Sequence, residues 1–360
     1  MDKRLLLLIL WSLALVPAVV SRAADHCANL TEIPSFVHDD ARPYIQLRDG
    51  RLVSGDRAYK VRGINYYPAR APWRRFLLES TLRDLRWEMQ LIRDAGFNSL
   101  RIFLWNGALY PCADAPVRPS PAAFERLDHI MRLAAEFDFR LIVTLNDMPD
   151  LSGKPLYDNP AHVQEQTKII VRRYAEAPAI LAWDLRNEGD IDYGSRSIFQ
   201  RRFPRAQVLA WLRDTADLLR SIDKNHLLTA GWLNEAHSTA PAVDFVSFHH
   251  WSSAGDLHRR IRALQLSTAK PILLGELGYS TFGGFPEEAQ AQALSSAIAI
   301  GERADLLGWM IWTAFDFPRT ATCYPSPCQS RDNPEHHFGI WDSDYRPKPA
   351  LDALAEHLER

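Results

Sequence analysis

The sequence predicts an α/β fold, a (β/α)8 TIM barrel preceded by a short N-terminal β-hairpin, and three observations carry that expectation. Eight apolar runs of strand length recur, at 61–67, 99–105, 140–146, 180–187, 226–232, 243–249, 271–276 and 307–313. Segments with helical periodicity, such as 82–95 and 124–137, lie between the runs and lead through short turns into the next one. The runs are near-continuously apolar instead of alternating, the pattern of parallel strands covered on both faces. No glycine-rich phosphate fingerprint follows the first run, so a closed barrel is expected over an open doubly wound sheet.

The N-terminus stands apart from this pattern. Lys3 and Arg4 precede an apolar run over 5–20, interrupted by Ser12 and Pro17, and then the small-residue stretch Ser21-Arg22-Ala23-Ala24. That is the order of a secretory signal. We expect a signal peptide over 1–23 and one catalytic-sized domain over 24–360, since no linker divides the rest. The run nearly reaches the ~20 apolar residues that span a bilayer, so an uncleaved membrane anchor is the alternative; Pro17 and the Ala-rich end favour cleavage. The expected location is secreted or periplasmic.

Four cysteines, Cys27, Cys112, Cys323 and Cys328, agree with an oxidising compartment. Cys323 and Cys328 flank the turn-rich Tyr-Pro-Ser-Pro and can close a small loop, which leaves Cys27 for Cys112. Asn29-Leu30-Thr31 is a glycosylation sequon. Next in order, 44–47 and 52–60 around Asp49-Gly50 suggest a hairpin that can plug the bottom of the barrel. Arg346-Pro347-Lys348-Pro349 opens a last helix.

Charge narrows the partners. With 42 basic and 44 acidic residues the net charge is -2, which gives no reason to expect nucleic acid. A neutral polymer suits this balance better. Arg201, Arg202 and Arg205 are taken as a solvated basic face. No membrane contact beyond the signal segment is expected, and the protein is expected to be a monomer.

In a barrel of this type the chemistry sits where strands end, because the βα loops there build the cleft. Ile180-Leu181-Ala182-Trp183-Asp184-Leu185-Arg186-Asn187-Glu188 is a buried strand ending in Asn-Glu, and eighty-eight positions on, Pro271-Ile272-Leu273-Leu274-Gly275 ends in Glu276. Two carboxylates so placed are the minimum equipment for hydrolysing a glycosidic bond: one protonates the leaving oxygen, and the other acts opposite as nucleophile or base. Their environments must push their pKa values apart, with the acid raised and the nucleophile kept ionised. Arg101 is the natural donor to the nucleophile. Asn187, beside the acid, can bind the sugar hydroxyl next to the reacting carbon. Asn146 ends the third run, and the flat faces of Trp105, Trp251, Trp312 and Trp341, at or beyond strand ends, suit the apolar face of a pyranose. No cofactor is needed, and no metal site is expected, because no His/Asp/Glu cluster has ligand spacing.

Trp183-Asp184-Leu185-Arg186-Asn187-Glu188 and Leu274-Gly275-Glu276-Leu277-Gly278, with Arg62-Gly63-Ile64-Asn65 on the first strand, resemble glycoside hydrolase clan A, and most of all family 5, the cellulase and endo-mannanase family. The resemblance covers nearly all of the chain after the signal. It implies a retaining β-glycosidase acting on an oligo- or polysaccharide, with Glu188 as acid/base, Glu276 as nucleophile, Arg101 as the strand-two arginine, His249 as the strand-six histidine and Trp312 as the floor of the sugar subsite. Two departures stand out. The family's His-x-Tyr on strand six is His249-His250-Trp251 here, and strand three carries Thr144-Leu145-Asn146-Asp147, nearer to the mannanase-like members. The rival expectations are a non-catalytic carbohydrate-binding barrel, which would have lost a carboxylate, and a metal-dependent barrel enzyme with Glu188 and Glu276 as ligands.

Overall fold

The computed structural model describes residues 32–112, 116–147, 156–194, 203–325 and 327–359. The expected signal peptide, Cys27 and the sequon lie outside them, as do Arg201 and Arg202. Three short strands come first, β1 (Ile45–Arg48), β2 (Arg51–Ser54) and β3 (Arg57–Tyr59), paired antiparallel in that order. The expected second strand is thus two, because the chain reverses again at Gly55, whose φ of 61° lies where L side chains are strained.

The barrel follows: β4 (Val61–Asn65), β5 (Ser99–Phe103), β6 (Arg140–Thr144), β7 (Ile180–Asp184), β8 (Leu227–Thr229), β9 (Gly231–Trp232), β10 (Val246–His250), β11 (Ile272–Leu277) and β12 (Gly308–Ile311). Their order in the sheet is β8-β7-β6-β5-β4-β12-β11-β10-β9, all parallel. β8 pairs with β7 and β9 with β10. Only Ala230 separates these two pieces, so they are one barrel position and the ring has eight. Each expected apolar run holds one position.

Helices cover the outside: α1 (Arg75–Glu79), α2 (Leu82–Asp94), α3 (Asn106–Leu109), α4 (Pro121–Glu136), α5 (Pro160–Tyr174), α6 (Arg205–Ile222), α7 (Ala254–Ser267), α8 (Glu287–Arg303) and α9 (Pro349–Leu358). Their starts are written locally. Thr81, Asn159 and Ser253 accept backbone N–H bonds from Asp84, His162 and Asp256, and Pro121 and Pro160 occupy first-turn positions where a missing N–H costs nothing.

The barrel interior divides into two layers. Toward the N-terminal ends, Ile45 and Leu52 of the small sheet pack with Val61, Ile142, Ala182, Phe245 and Met310, so the small sheet closes the bottom with apolar side chains. Gly63 makes room for Met310, whose Cε would lie 2.5 Å from a Cβ there. Toward the C-terminal ends the interior turns polar, with Asn65, Arg101, Thr144, Asp184, Ser247, His249 and Glu276 all buried. Cys323 and Cys328 form a disulfide in the loop after β12, as expected. Cys112 is disulfide-bonded as well. Trp341, counted among candidate sugar platforms, is core instead: it is 1% exposed and packs on Phe315.

One buried carboxyl locks the β4 loop to α2. Glu88 accepts Tyr66 Oη at 2.8 Å, Tyr345 Oη at 2.8 Å and the Ala69 N–H at 3.1 Å. Burial nevertheless lifts its pKa from the ordinary 4.5 to about 7, against those three bonds. Between these two values the native state holds a proton that the unfolded chain has lost, so stability falls as pH rises through this window and levels off above it. We expect Glu88→Gln, which cannot ionise, to gain about 3 kcal/mol relative to the parent between pH 4.5 and 7.5, read by urea unfolding at both pH values. An unchanged difference would show that Glu88 is ionised in the native state throughout.

Candidate active site

Arg101, on β5, is the centre of the polar layer. A guanidinium has five N–H donors. Here Nε and Nη2 donate to Asp184 Oδ2 at 2.9 and 2.6 Å, Nη1 to Asn65 Oδ1 at 3.1 Å and to Glu276 Oε1, and Nη2 also to Asn187 Oδ1 at 2.9 Å. All five are committed, and its carbon sits 4.5 Å over the Phe103 ring. Burial works against the charge, but Asp184 and Glu276 more than offset it and raise the pKa. Asp184 is held in turn by Thr144 Oγ1 at 2.9 Å and the Gly231 N–H at 3.1 Å.

Glu188 follows β7 in a left-handed backbone conformation, φ 49° and ψ 41°, which a β-carbon disfavours by about 1–2 kcal/mol. Its N–H donates to Gly231 O at 2.7 Å, and the Asn187 N–H to Asn146 O at 3.1 Å. Beneath this turn Arg186, wholly buried, donates to Asp192 at 3.0 and 3.1 Å and to Asn187 O at 2.6 Å. The strained turn is therefore fixed on both sides. Asn187 Nδ2 donates to Asp147 Oδ1 at 2.9 Å; Asp147 Oδ2 takes the Tyr67 hydroxyl at 2.7 Å, and that hydroxyl takes Trp105 Nε1 at 2.8 Å.

His249 joins the two carboxyls. Its Nδ1 lies 2.8 Å from Glu188 Oε1 and 3.3 Å from Glu276 Oε2. Nε2 is buried with no hydrogen-bond partner and points at Gly231, where a Cβ would come 2.5 Å from it and 3.1 Å from Arg101 Nη2. With no acceptor there and a guanidinium nearby, the ring proton belongs on Nδ1, which donates to the carboxyls.

One fixed cation, Arg101, therefore serves three carboxylates. Burial lifts Glu276 to about 7, with His249 and Arg101 pulling down and Glu188 pushing up. Burial acts on Glu188 too, but the hydrogen bond from His249, aided by Trp251 and Arg101, more than offsets it and holds this carboxyl below the ordinary range. This reverses the expected division, in which the Asn-Glu carboxyl is the raised one. The cause is geometric: His249 stands closer to Glu188. The carboxyls titrate as one unit, and that unit binds a proton near neutrality.

The other expected site residues divide. Trp312, 8% exposed, stands edge-on to Phe103 and Trp251, with ring centres at 5.6 and 6.5 Å, and its Nε1 donates to Glu335 Oε2 at 3.2 Å. Trp251 is 38% exposed and packs on Phe338. Trp105 lines the same end through Tyr67. Asn146 departs from expectation: it is 1% exposed and its Nδ2 donates to Leu185 O at 2.9 Å, so its amide braces β6 to the β7 turn. Glu335 was missed, because it lies in a loop without periodicity.

Glu188, His249 and Glu276 also offer three metal-ligand atoms within 4.8 Å of one another, a cluster that topology assembles and sequence spacing hides. Arg101 occupies one side of the same Glu276 carboxylate, which disfavours a second cation there. His336 and His337 lie 3.0 and 2.8 Å from Asp332 in the loop after β12, a second such group.

Comparison with known proteins agrees with this frame. A family model described as GH family 5 beta-mannosidase-like matches residues 158–278, a stretch that includes Glu188, His249 and Glu276. Mannan endo-1,4-beta-mannosidase A of Podospora anserina is 26% identical over 285 residues, 64% of this chain and 72% of that protein. Mannan endo-1,4-beta-mannosidase 1 of Arabidopsis thaliana is 29% identical over 163 residues, 38% of each chain. Among solved structures, a variant of GH5_18 from Streptomyces cattleya in complex with Manβ1-4GlcNAc superposes with a TM-score of 0.70 at 20% identity, covering 84% of this chain and 80% of that one. The endo-1,4-beta-mannanase of Rhizomucor miehei gives 0.63 at 17%, covering 87% and 99%. With the barrel and both strand-end glutamates in place, the chain is a glycoside hydrolase whose likeness is to clan A, family 5, and to the endo-mannanases.

Proposed function

We propose that the protein is a secreted, retaining β-glycosidase that cleaves β-mannosidic bonds in oligo- or polysaccharides, with Glu276 as nucleophile and Glu188 as acid/base. The observation that carries this is the pair itself. Oxygens of the two carboxylates lie within 4.8 Å of each other, on one imidazole nitrogen. That spacing fits the ~5–5.5 Å of retaining enzymes and leaves no room for the water that inverting enzymes hold across ~6.5–9.5 Å.

In the first step Glu276 attacks the anomeric carbon as the bond to the leaving oxygen breaks and Glu188 gives that oxygen its proton. A glycosyl ester on Glu276 results. Glu188 then takes a proton from water, whose oxygen displaces Glu276 and returns the free carboxylate. Arg101 stabilises Glu276 as an anion. Asn187, its amide oriented by Arg101 and Asp147, presents itself to the adjacent sugar hydroxyl, and Trp312 offers a flat floor. The proton of the unliganded pair must move from Glu276 to Glu188 as the sugar enters.

The mannan choice rests on the relatives' names, and the sugar in the Streptomyces complex agrees with it. Export, cleavage near residue 23 and a single catalytic unit over 24–360 are part of the proposal; the disulfides support an oxidising compartment. Every group named belongs to one chain, so a monomer suffices. The same triad raises a metal-dependent reading, which activity that survives a chelator would dismiss.

Two outcomes test the assignment. Glu276→Ala should abolish turnover on every substrate. Glu188→Ala should cost about 10²–10⁴ in kcat on natural glycosides but spare formation of the glycosyl-enzyme from activated aryl glycosides, with azide restoring its breakdown. Near-native activity of Glu276→Ala would overturn the nucleophile. The second outcome concerns pH. Since the pair's proton titrates at about 7 through Glu276, the active, singly protonated form dominates below that pH and is lost as pH rises through it. The kcat/KM profile should fall on its alkaline side with an apparent pKa near 7, and a profile flat to pH 9 would refute the shared proton.

A further inference from the structure

Resting on the proposed acid/base role of Glu188, we infer that the cleft carries an anion-binding subsite on its leaving-group side, built on Arg260, which takes the carboxylate of an acidic sugar. Beside Trp251 opens a pocket of about 620 Å³ whose wall includes Asn234, His250, Asp256, Arg259 and Arg260. Ligand sites of ~300–1,000 Å³ are the usual range.

Arg260, in α7, has no hydrogen-bond acceptor among the described residues, and its Nη2 is shut off from solvent. Its neighbours are all engaged elsewhere. Asp256 is paired with Arg259 and accepts Ser252 and Ser253 hydroxyls at 2.7 Å. Asp190 takes the backbone N–H groups of Leu233, Asn234 and Glu235, which fixes the facing wall of the pocket. Glu188 and Asp190 act on Arg260 only through space. The Phe248 ring lies 5.2 Å from the guanidinium carbon and steadies it, with Nη2 closed to solvent and the rest of the partly exposed side chain lining the pocket. His250 Nδ1, in the same wall, is also buried without a partner, while its Nε2 meets Ser253 O at 2.9 Å.

A buried polar group with no partner is costly, and in native structures it usually marks something missing. The group that best suits a guanidinium fork lining a pocket has two acceptor oxygens and a negative charge, which describes a carboxylate; it meets the N–H groups on the pocket side and reaches Nη2 only if that nitrogen is uncovered on binding. Trp251 sets the position. Its indole is close enough to Glu188 to help hold that carboxyl low while the residue lines the pocket, which places a sugar stacked on its exposed face on the Glu188 side of the cleft. A uronic acid as the leaving sugar meets both demands.

The test compares two disaccharides, β-1,4-mannosyl-mannose and β-1,4-mannosyl-glucuronate, with the full-length enzyme. At low salt the acidic one should have a kcat/KM higher by about tenfold, as a charged hydrogen bond allows, with the advantage shrinking as salt is raised. Arg260→Met should bring the ratio to near one, and Arg260→Lys, which keeps the charge but not the fork, should retain part of it. Free glucuronate should inhibit hydrolysis of p-nitrophenyl β-mannoside by the unmodified enzyme at about tenfold lower concentration than glucose, a measurement that needs no variant to fold. Equal kcat/KM for the two disaccharides, equal inhibition by the two sugars, or a preference that survives Arg260→Met would overturn the subsite. No hydrolysis of the nitrophenyl glycoside would instead overturn the proposed function.

Discussion

The upper half of the barrel depends on one charge. Arg101 is buried where an isolated cation would be prohibitive, and it is tolerated because it makes five hydrogen bonds to four acceptor oxygens, one on each of four side chains. Those side chains come from β4, β7, the turn after β7 and β11, so the guanidinium ties together strands distant in sequence. It also fixes rotamers. Asn187 can present its amide in one orientation only, because its oxygen faces Arg101 and its nitrogen faces Asp147. Removing the cation would leave Asp184 and Glu276 buried without it, so the polar layer stands or falls as a unit.

A second constraint is the turn at Glu188. In its left-handed conformation the residue holds its carboxyl 2.8 Å from His249 Nδ1. Gly231 makes that possible twice, through its carbonyl, which accepts the Glu188 N–H, and through its missing Cβ, which leaves space for His249 and Arg101. The break at Ala230 between β8 and β9 sits at the same place. The local irregularity of the fifth barrel position and the geometry of the carboxyl pair are thus one feature seen from two sides.

What the sequence made legible follows from how each part is encoded. The eight strands could be read because each is a contiguous apolar run, and their ends could be read as cleft residues because topology puts all C-terminal ends on one face. Arg101, Asn187, Glu188, His249 and Glu276 are expected there on that ground, and the structure brings them together. The expected hairpin gains a third strand, because the turn at Gly55 interrupts a run that looks continuous in sequence. Asn146 stood at a strand end like the others, yet nothing in its neighbours revealed that its amide turns inward to Leu185 O. Glu335 and Arg260 were invisible for opposite reasons. The first lies in a long loop with no pattern, and the second sits on a helix where an arginine is unremarkable until its lack of a partner is seen in space. Trp341 looked like a platform by position and proved to be core by packing.

The replacement of the strand-six tyrosine by Trp251 changes how the carboxyl pair is balanced. A phenol beside Glu276 could give that carboxylate a further donor; an indole has its one N–H, and here it favours Glu188. With His249 also nearer to Glu188, both of these donors favour Glu188, and Glu276 keeps the longer contact to His249 and Arg101, whose charge is shared with Asp184. The free site therefore keeps its proton on Glu276. The proposed mechanism requires the opposite arrangement, so a bound sugar has to supply the difference. It can do so by placing its glycosidic oxygen as an acceptor for a proton on Glu188, and by giving Glu276 a hydroxyl donor in place of its own proton. In such a site the substrate completes the pKa separation that the protein alone leaves reversed, and a sugar lacking those hydroxyls would bind without bringing the pair into its working state.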